Sequence, residues 1–505
     1  MVTSTAPSRF RTPAERKSPA PPARRPRLAR DLTRDSRTVA VLAPALLMLG
    51  LGLWGIRREN SMWRDESTTY QVAHRSLPEL WHMLGTVDMV HGLHYLFMHA
   101  VFAVWDGGLL ALRLPAVLAM AAAASAVALT GRRLAGPRAG LAAGLVFPLF
   151  PLVQKYAQEG RSYAMVCAAV AWSTYLLLRA LERPRPRLWA GYAAVLAVGC
   201  LLNELAVLTL LAHGAVLLRE RALRPLLWPW SQAAAAVCAV LTPLVVVSKA
   251  QEAQLAHLEA PGPAQLLRFA LPVLLALLFA CARPRRRGPA DPRTAALALA
   301  VLPPSLLVLV SSVRPLYEER YVVYSAVGLA LLGGFAVERV LRALRPWAAG
   351  LLTVAVVAAL VPLWLPVRQP EVHMDDTNAV ADAAREMTRR GDGVLYVPAL
   401  RREGSLSHPA EYGGLRDLAL ARTPAASGTL WGVELPEAQI GARVRAAHRV
   451  LVLTDPPSRA GDAPFTARDE AKLAALRERF TLCARHNAGH MTLTLYASDP
   501  ALCTD

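Results

Sequence analysis

Lysine, charge and metal-binding spacings are all scarce in this chain. Only four of its 56 Lys+Arg residues are lysine, Lys17, Lys155, Lys249 and Lys472, so 52 are arginine. A bias that strong fits GC-rich coding and carries no nucleic-acid signature. Charged residues make up 18% against 54% hydrophobic, with a net charge of +19. Such a balance excludes a disordered chain and fits poorly to one soluble domain of 505 residues. No CxxC or HExxH spacing occurs, which removes the usual zinc and iron–sulfur frameworks. Internal repeats are missing, so a solenoid is excluded. The apolar stretches do not alternate with polar residues, which excludes a lipid-facing β-barrel.

What the sequence has instead is a series of apolar blocks of 14 to 23 residues. In lipid, only helices satisfy every backbone N–H and C=O within one segment, so the blocks read as spanning helices. The expected spans are 39–56, 109–130, 139–153, 162–178, 188–202, 205–218, 226–248, 264–282, 294–312, 321–337 and 348–367, eleven in all. Residues 1–38 hold ten Lys/Arg among prolines and few aromatics, the composition of a disordered cytoplasmic tail. No small-residue cleavage site follows the first block, which reads as a retained anchor.

With the tail inside, the alternation puts the five arginine-rich connections near 132–138, 179–187, 219–224, 283–293 and 339–345 on the cytoplasmic side. They hold 18 basic residues and, counting Glu338, four acidic ones, whereas the opposite connections hold 11 basic and 12 acidic. The positive-inside rule is obeyed throughout. The apolar run 93–105 is read as a juxtamembrane helix lying on the outer face, because a twelfth span would invert every later loop. The pair 188–202 and 205–218 is short for a hydrocarbon core of about 30 Å.

An odd span number leaves 368–505 outside. That segment, with 17 basic and 18 acidic residues, reads as a separate α/β domain. Its expected elements are a helix at 376–390, strands at 393–397 and 449–455, a helix at 466–479 and a hairpin of 480–485 with 491–497. Tyr412, Trp431 and His408 stand in its loops and suit packing or surface roles. Cys167, Cys200, Cys238 and Cys281 fall in spans as small hydrophobes. Cys483 and Cys503 lie in the outer domain, where a disulfide and two free thiols are both open.

The topology gathers polar groups on one face. Asp65, Glu66, Asp88, His91, His94 and Tyr95 lie in the first outer loop, and Arg113 opens the next span. Glu159, Arg161 and Tyr163 lie in the following outer connection, Glu204 in the next, and Glu319, Arg320 and Tyr321 in the last. Taken singly, each pair reads as a solvated carboxylate, a local ion pair or a simple turn. Together, acids beside arginines at one interface suit an anionic lipid head group plus a reaction that needs a base.

Asp65-Glu66, Asp88 with His91-Gly-Leu-His94-Tyr95, Leu112-Arg113-Leu114-Pro115 and Tyr156-Ala-Gln-Glu159-Gly-Arg161-Ser-Tyr163 resemble family 39 glycosyltransferases of the glycosyltransferase C superfamily. The resemblance covers about 39–505, is strongest across 61–181, and is nearest to the actinobacterial mannosyltransferase branch. Protein O-mannosyltransferases and lipid A aminoarabinose transferases are relatives. It implies a multi-pass protein of a bacterial plasma membrane, taking a sugar, mannose first, from a polyprenyl-phosphate donor. The sugar goes with inversion to an extracytoplasmic glycan, lipid or protein.

In that reading Asp65 is the general base and Glu66 its neighbour, a contribution of roughly 10²- to 10⁴-fold in rate. Arg113, Arg161 and Arg320 grip the phosphate, since guanidinium is permanently charged and bidentate. Asp88, His91, His94, Tyr95, Glu159, Tyr163, Glu204, Glu319 and Tyr321 contact sugar or acceptor. A divalent cation oriented by Asp88 and Glu159 is compatible with the residue types, and its ligands are left unassigned. The β-trefoil insert of protein O-mannosyltransferases is missing, which puts a protein acceptor in doubt. Gly160 stands where relatives often have Ala, a change expected to matter little.

The competing reading is a transporter or flippase of a lipid-linked envelope intermediate. Transporters place ionisable residues near the bilayer midplane, and the centres of these spans carry almost none. A scaffold whose outer domain binds a partner is a third reading, opposed by the clustered carboxylates.

Overall fold

The structure, a computed structural model, describes residues 1–3, 27–251, 260–373, 375–456 and 465–503, with side chains before residue 38 left aside. Most of the expected tail lies outside the described residues. Its end does not match the expectation of disorder, because the first helix reaches back to Arg27. Leu, Ala and Arg there are good helix formers and extend the anchor beyond its apolar part.

The chain runs through α1 (Arg27–Leu53), α2 (Arg64–Ala73), α3 (Leu77–Leu84), α4 (Gly92–Val104), α5 (Leu109–Ala135), α6 (Pro137–Val146), α7 (Pro151–Ala157), α8 (Tyr163–Glu182), α9 (Pro186–Leu202), α10 (Leu208–Arg219), α11 (Leu227–Ala250), α12 (Pro263–Phe279), α13 (Pro292–Ser311), α14 (Ala326–Ala343) and α15 (Pro346–Trp364). It is a multi-pass membrane protein. Every expected span falls on helix, but not every one is a straight crossing. Among the described residues seven helices are long and apolar enough, with an eighth if a bent pair is counted as one span.

The bend corrects the span expected at 139–153. Pro137–Leu149 and Pro151–Ala157 meet at 66°. Phe150 between them is extended (φ −69°, ψ 125°), because the residue before a proline is pushed out of the helical region. α9 and α12 have 17 residues each, about 25 Å of helix. α10 has only 12 and is preceded by a 3-10 turn, Glu204–Val207. A second 3-10 segment, Glu319–Ser325, leads into α14.

α5 is the axis of the bundle, packed by α1, α6 and α8. Its run of alanines and small partners lets backbones approach closely. A Cβ at Gly140 would collide with the backbone of Arg132 and Ala128, and one at Gly334 with Ala143. α4 is too short to span. It turns Tyr95, Met98 and Phe102 inward and leaves Phe97, Val104 and Trp105 exposed, the asymmetry expected of a helix lying at an interface.

The C-terminal region contains α16 (Thr377–Met387), β1 (Gly393–Val397), α17 (Arg402–Leu406), α18 (Pro409–Tyr412), β2 (Arg416–Asp417), β3 (Leu420–Arg422), α19 (Pro424–Ser427), β4 (Val433–Glu434), α20 (Glu437–Arg445), β5 (Arg449–Thr454), α21 (Ala467–Arg479), β6 (Thr481–Ala488) and β7 (Met491–Ala497). The main sheet has the order β2-β1-β5-β7-β6, with β1 parallel to β2 and β5 and the β6–β7 hairpin antiparallel. Helices cover both faces. Val394, Tyr396 and Leu451 pack under α16, while Leu395, Val397 and Val452 pack under α20 and α21. That is why β1 and β5 read as unbroken apolar runs. Cys483 and Cys503 are disulfide-bonded, Cα to Cα 5.1 Å.

The first loop and the C-terminal region are joined by specific bonds. Asp376 Oδ1 caps α16 by accepting from Asn378 N and Ala379 N, and also accepts from Met62 N at 3.1 Å. Thr377 N donates to Met62 O at 2.7 Å, Arg75 Nη1 to Thr429 O at 3.0 Å, and the hydroxyls of Ser67 and Ser407 meet at 2.6 Å.

Candidate active site

After α1 the chain reverses through Arg58, Glu59 and Asn60, all at positive φ (44°, 54° and 69°). Three successive non-glycine residues in the left-handed region are costly, about 1–2 kcal/mol each, and the turn is held by what it buries. Arg58 is 1% exposed. It donates to Val367 O (3.2 Å) and Lys155 O (3.0 Å) and touches His373 Nε2 at 2.9 Å.

α2 then begins at Arg64, with Asp65 and Glu66 in its first turn, where the helix dipole favours carboxylates. Consecutive helical residues diverge by about 100°, so the two acids face different surroundings. Glu66 turns inward and is completely buried. Arg113 Nε and Nη2 grip its two oxygens at 2.8 and 2.7 Å, and Gly160 N adds a third bond at 2.8 Å. Burial alone would raise the Glu66 carboxyl; Arg113 and Arg58 outweigh it and hold it below its usual range.

Arg113, expected to grip the phosphate, is committed to Glu66 in this structure. Its remaining donors go to Ile56 O (2.7 Å) and Ser61 O (2.6 Å), and the residue is 0% exposed. Gly160 also departs from expectation. A Cβ there would strike the Leu112 side chain, so glycine at this position lets the Glu159–Arg161 loop close onto α5.

Asp65 faces the other way and stays partly open, with its side chain 22% exposed. Arg320 Nη1 lies 3.3 Å from its Oδ2. Arg161 reaches the Asp65 backbone carbonyl at 3.4 Å, Thr69 Oγ1 at 3.3 Å and His91 Nε2 at 2.7 Å. Burial pushes the Asp65 carboxyl up, but Arg161, Arg320 and Arg64 outweigh it and keep it an anion. Arg161 and Arg320 each keep a buried Nε with no partner, and Arg64 beside Asp65 is partly exposed. These three guanidinium groups retain donors for an incoming anion.

The other expected residues divide into walls and outliers. Asp88, itself left-handed at φ 63°, accepts from Tyr95 OH and lies 3.9 Å from His91 Nε2. Burial raises its carboxyl, and Arg161 lowers it only in part. His94 Nε2 meets Gly160 O at 3.1 Å. Glu159, 1% exposed, meets His373 Nε2 at 3.2 Å. Tyr163 lies between Tyr156 and Tyr321, ring centroids 5.7 and 6.3 Å away. Glu319 lies 3.7 Å from Lys155 Nζ. Glu204 is an outlier: it accepts from Ser248 Oγ at 3.0 Å and has no bond to the Asp65 cluster among the described residues.

Among the described residues no three His, Cys, Asp or Glu side chains converge as a metal donor set. Asp88 accepts from Tyr95 OH, whereas both Glu159 oxygens are buried without a hydrogen-bond partner among the described residues.

Three residues not nominated for the site from sequence belong here. Arg64 was visible in the motif as the neighbour of Asp65. His373 stacks on Trp63 (4.3 Å, 7°) and brings its Nε2 near both Arg58 Nη1 and Glu159 Oε1 from a segment with no local signal. Glu403 of α17 is buried, and the charges acting on it are Arg64, Asp65, Asp88 and Arg161.

This bundle, with a helical first loop and a C-terminal sheet region closing over one end, is the glycosyltransferase C fold. The sequence model of the family described as dolichyl-phosphate-mannose-protein mannosyltransferase matches residues 93–247. ArnT from Cupriavidus metallidurans in the apo state is similar in structure, with TM-score 0.56 and 13% identity over 93% of this chain and 99% of that one. The same protein bound to undecaprenyl phosphate gives TM-score 0.56 and 14% identity over 91% and 97%. The Archaeoglobus fulgidus oligosaccharyltransferase in its apo form gives 0.51 and 10% over 83% and 69%. No curated protein matches the chain by sequence.

Proposed function

We propose that the protein is an inverting glycosyltransferase of the bacterial plasma membrane, moving mannose or a similar sugar from a polyprenyl-phosphate donor to an extracytoplasmic acceptor. The observation that carries the proposal is the contrast between two adjacent acids. Glu66 is sealed by Arg113, while Asp65 stays open between arginines that have donors to spare. The ArnT complex with undecaprenyl phosphate supports the donor class, and the arginine-rich loops support an extracytoplasmic site.

In this reading Arg64, Arg161 and Arg320 hold the donor phosphate. The C1–O bond to phosphate breaks, and the electron pair leaves with the bridging oxygen, so that polyprenyl phosphate departs as a dianion. These cations offset its charge, so no acid is needed to protonate it. The acceptor hydroxyl attacks C1 from the opposite face and gives its proton to Asp65. Donor binding also activates the base. In the free site Arg161 and Arg320 lower the proton affinity of Asp65; an arriving phosphate competes for the same guanidinium groups and restores it.

The prenyl chain fits an apolar groove of about 450 Å³ lined by Phe97, Val101, Trp105, Leu114, Pro115 and Leu118, next to the Arg113 step. Competition by undecaprenyl phosphate tests the site. Transfer from polyprenyl-phosphate mannose should be inhibited by it, and Arg320→Ala should weaken that inhibition at least tenfold. Inhibition unchanged by Arg320→Ala and by Arg161→Ala would remove these arginines from the phosphate site.

A further inference from the structure

Glu403 stands where fold stability does not call for a carboxylate. It is 7% exposed and has no hydrogen bond or ion pair among the described residues, whereas a buried acid is normally paired. The charges that act on it, Arg64, Asp65, Asp88 and Arg161, all belong to the site built by the first loop and the Glu159–Arg161 connection. Its carboxylate thus belongs to that charged cluster and not to the apolar core of its own region.

The helix that carries it is fixed at both ends. Arg402, the residue before it, donates to Asp417 Oδ2 (2.5 Å), Glu434 Oε1 (2.8 Å) and Trp431 O (2.9 Å). Glu434 Oε2 in turn meets Lys472 Nζ at 2.8 Å, and that ammonium also donates to Asp469 Oδ1 (2.9 Å) and Tyr396 O (2.8 Å). Beyond Glu403, the Ser407 hydroxyl is 2.6 Å from that of Ser67 on α2. A free carboxylate on a helix locked to the sheet behind and to α2 in front is a preorganised binding group.

We propose that the C-terminal region supplies the acceptor side of the transfer site, and that Glu403 accepts hydrogen bonds from a neutral, hydroxyl-rich acceptor, a sugar. The inference rests on the transferase reading above. Once the donor phosphate has engaged the arginines, an acceptor meets Asp65, Asp88 and Glu403. Such a wall takes hydroxyl donors and repels anionic acceptors. Burial pushes the Glu403 carboxyl up to about 7, with Arg64 and Arg161 pulling against Asp65 and Asp88, so it is not held as a structural ion.

The test uses the full-length protein in lipid nanodiscs, with undecaprenyl-phosphate mannose as donor and octyl α-mannoside as acceptor. Transfer and acceptor-free donor hydrolysis are measured separately. Glu403→Gln should raise the KM for octyl mannoside tenfold or more, change kcat less than threefold and lower transfer more than donor hydrolysis; Glu403→Asp should recover part of the loss. An unchanged acceptor KM overturns the proposal, and so does an equal fall in hydrolysis and transfer. Should Glu403→Gln fold poorly, Glu403→Cys gives a second reading: octyl mannoside should slow its labelling by a methanethiosulfonate, and no protection overturns the proposal. If the wild type hydrolyses donor and glycosylates a serine peptide but not octyl mannoside, the sugar acceptor is wrong and the transferase reading stands. If it neither hydrolyses nor transfers, the transferase reading fails and takes this proposal with it.

Discussion

Asp65 and Glu66 are the same chemistry one residue apart, and one step of helical rotation separates a candidate base from a structural anion. Arg113→Ala leaves the Glu66 carboxylate buried without its partner, which costs roughly 3–5 kcal/mol; the expected result is a large fall in Tm in detergent. Asp65→Asn, in a partly open position, should leave Tm within a few degrees. The sequence nominated both acids and the three arginines, because charged residues beside apolar blocks are conspicuous. It assigned Arg113 to the phosphate and did not pair it with Glu66, since the two are 47 residues apart and only packing decides the pairing. Glu403 adds a pH dependence of stability. Its folded-state pKa of about 7 lies above the ordinary carboxylate value near 4.3, so the folded protein binds a proton that the unfolded chain releases. The penalty is absent below pH 4 and complete above about 7. Thermal unfolding of Glu403→Gln should therefore show a gain over wild type at pH 8 that shrinks below pH 7 and closes by about pH 4.

Elements were most legible where periodicity is long and least where one residue redirects the chain. The strands 393–397 and 491–497 have the bounds read from alternation and apolar runs. The bend at Phe150 was missed because hydropathy does not register the backbone restriction before Pro151. β2, β3, β4 and α17 to α20 were also missed, since two- to nine-residue elements give no usable period. Two predictions belong at this scale. Gly160→Ala should destabilise by about 1–3 kcal/mol through overpacking against Leu112 and also lower activity, because Gly160 N supports Glu66. Cys483→Ser should lower the stability of the C-terminal sheet by about 3 kcal/mol, the loop-closure value for a bridge of this span, and differential scanning calorimetry under oxidising conditions reads it directly.

At the scale of the whole molecule, the first loop of the transmembrane bundle is bonded to the C-terminal region, with Met62, Ser67 and Arg75 meeting Asp376, Ser407 and Thr429. The sequence set the two parts apart by charge and hydropathy. It carried no sign that His373 and Glu403 reach back to the first loop, because contacts more than 300 residues apart leave no local pattern. The orientation expected from the arginine loops has a direct test: a cysteine replacing exposed Glu59 should label in intact cells, whereas one replacing Arg138 should label only after permeabilisation. The central claim, that Asp65 is the base of a polyprenyl-phosphate-dependent transfer, is met most directly by one assay. Radiolabelled mannose from polyprenyl-phosphate mannose is followed in membranes containing wild type or Asp65→Asn, mixed with membranes that supply the natural acceptor. The account predicts transfer by wild type and a loss of at least 100-fold in the variant, in the range of a general base; equal transfer by both, with the two proteins equally folded, would contradict it.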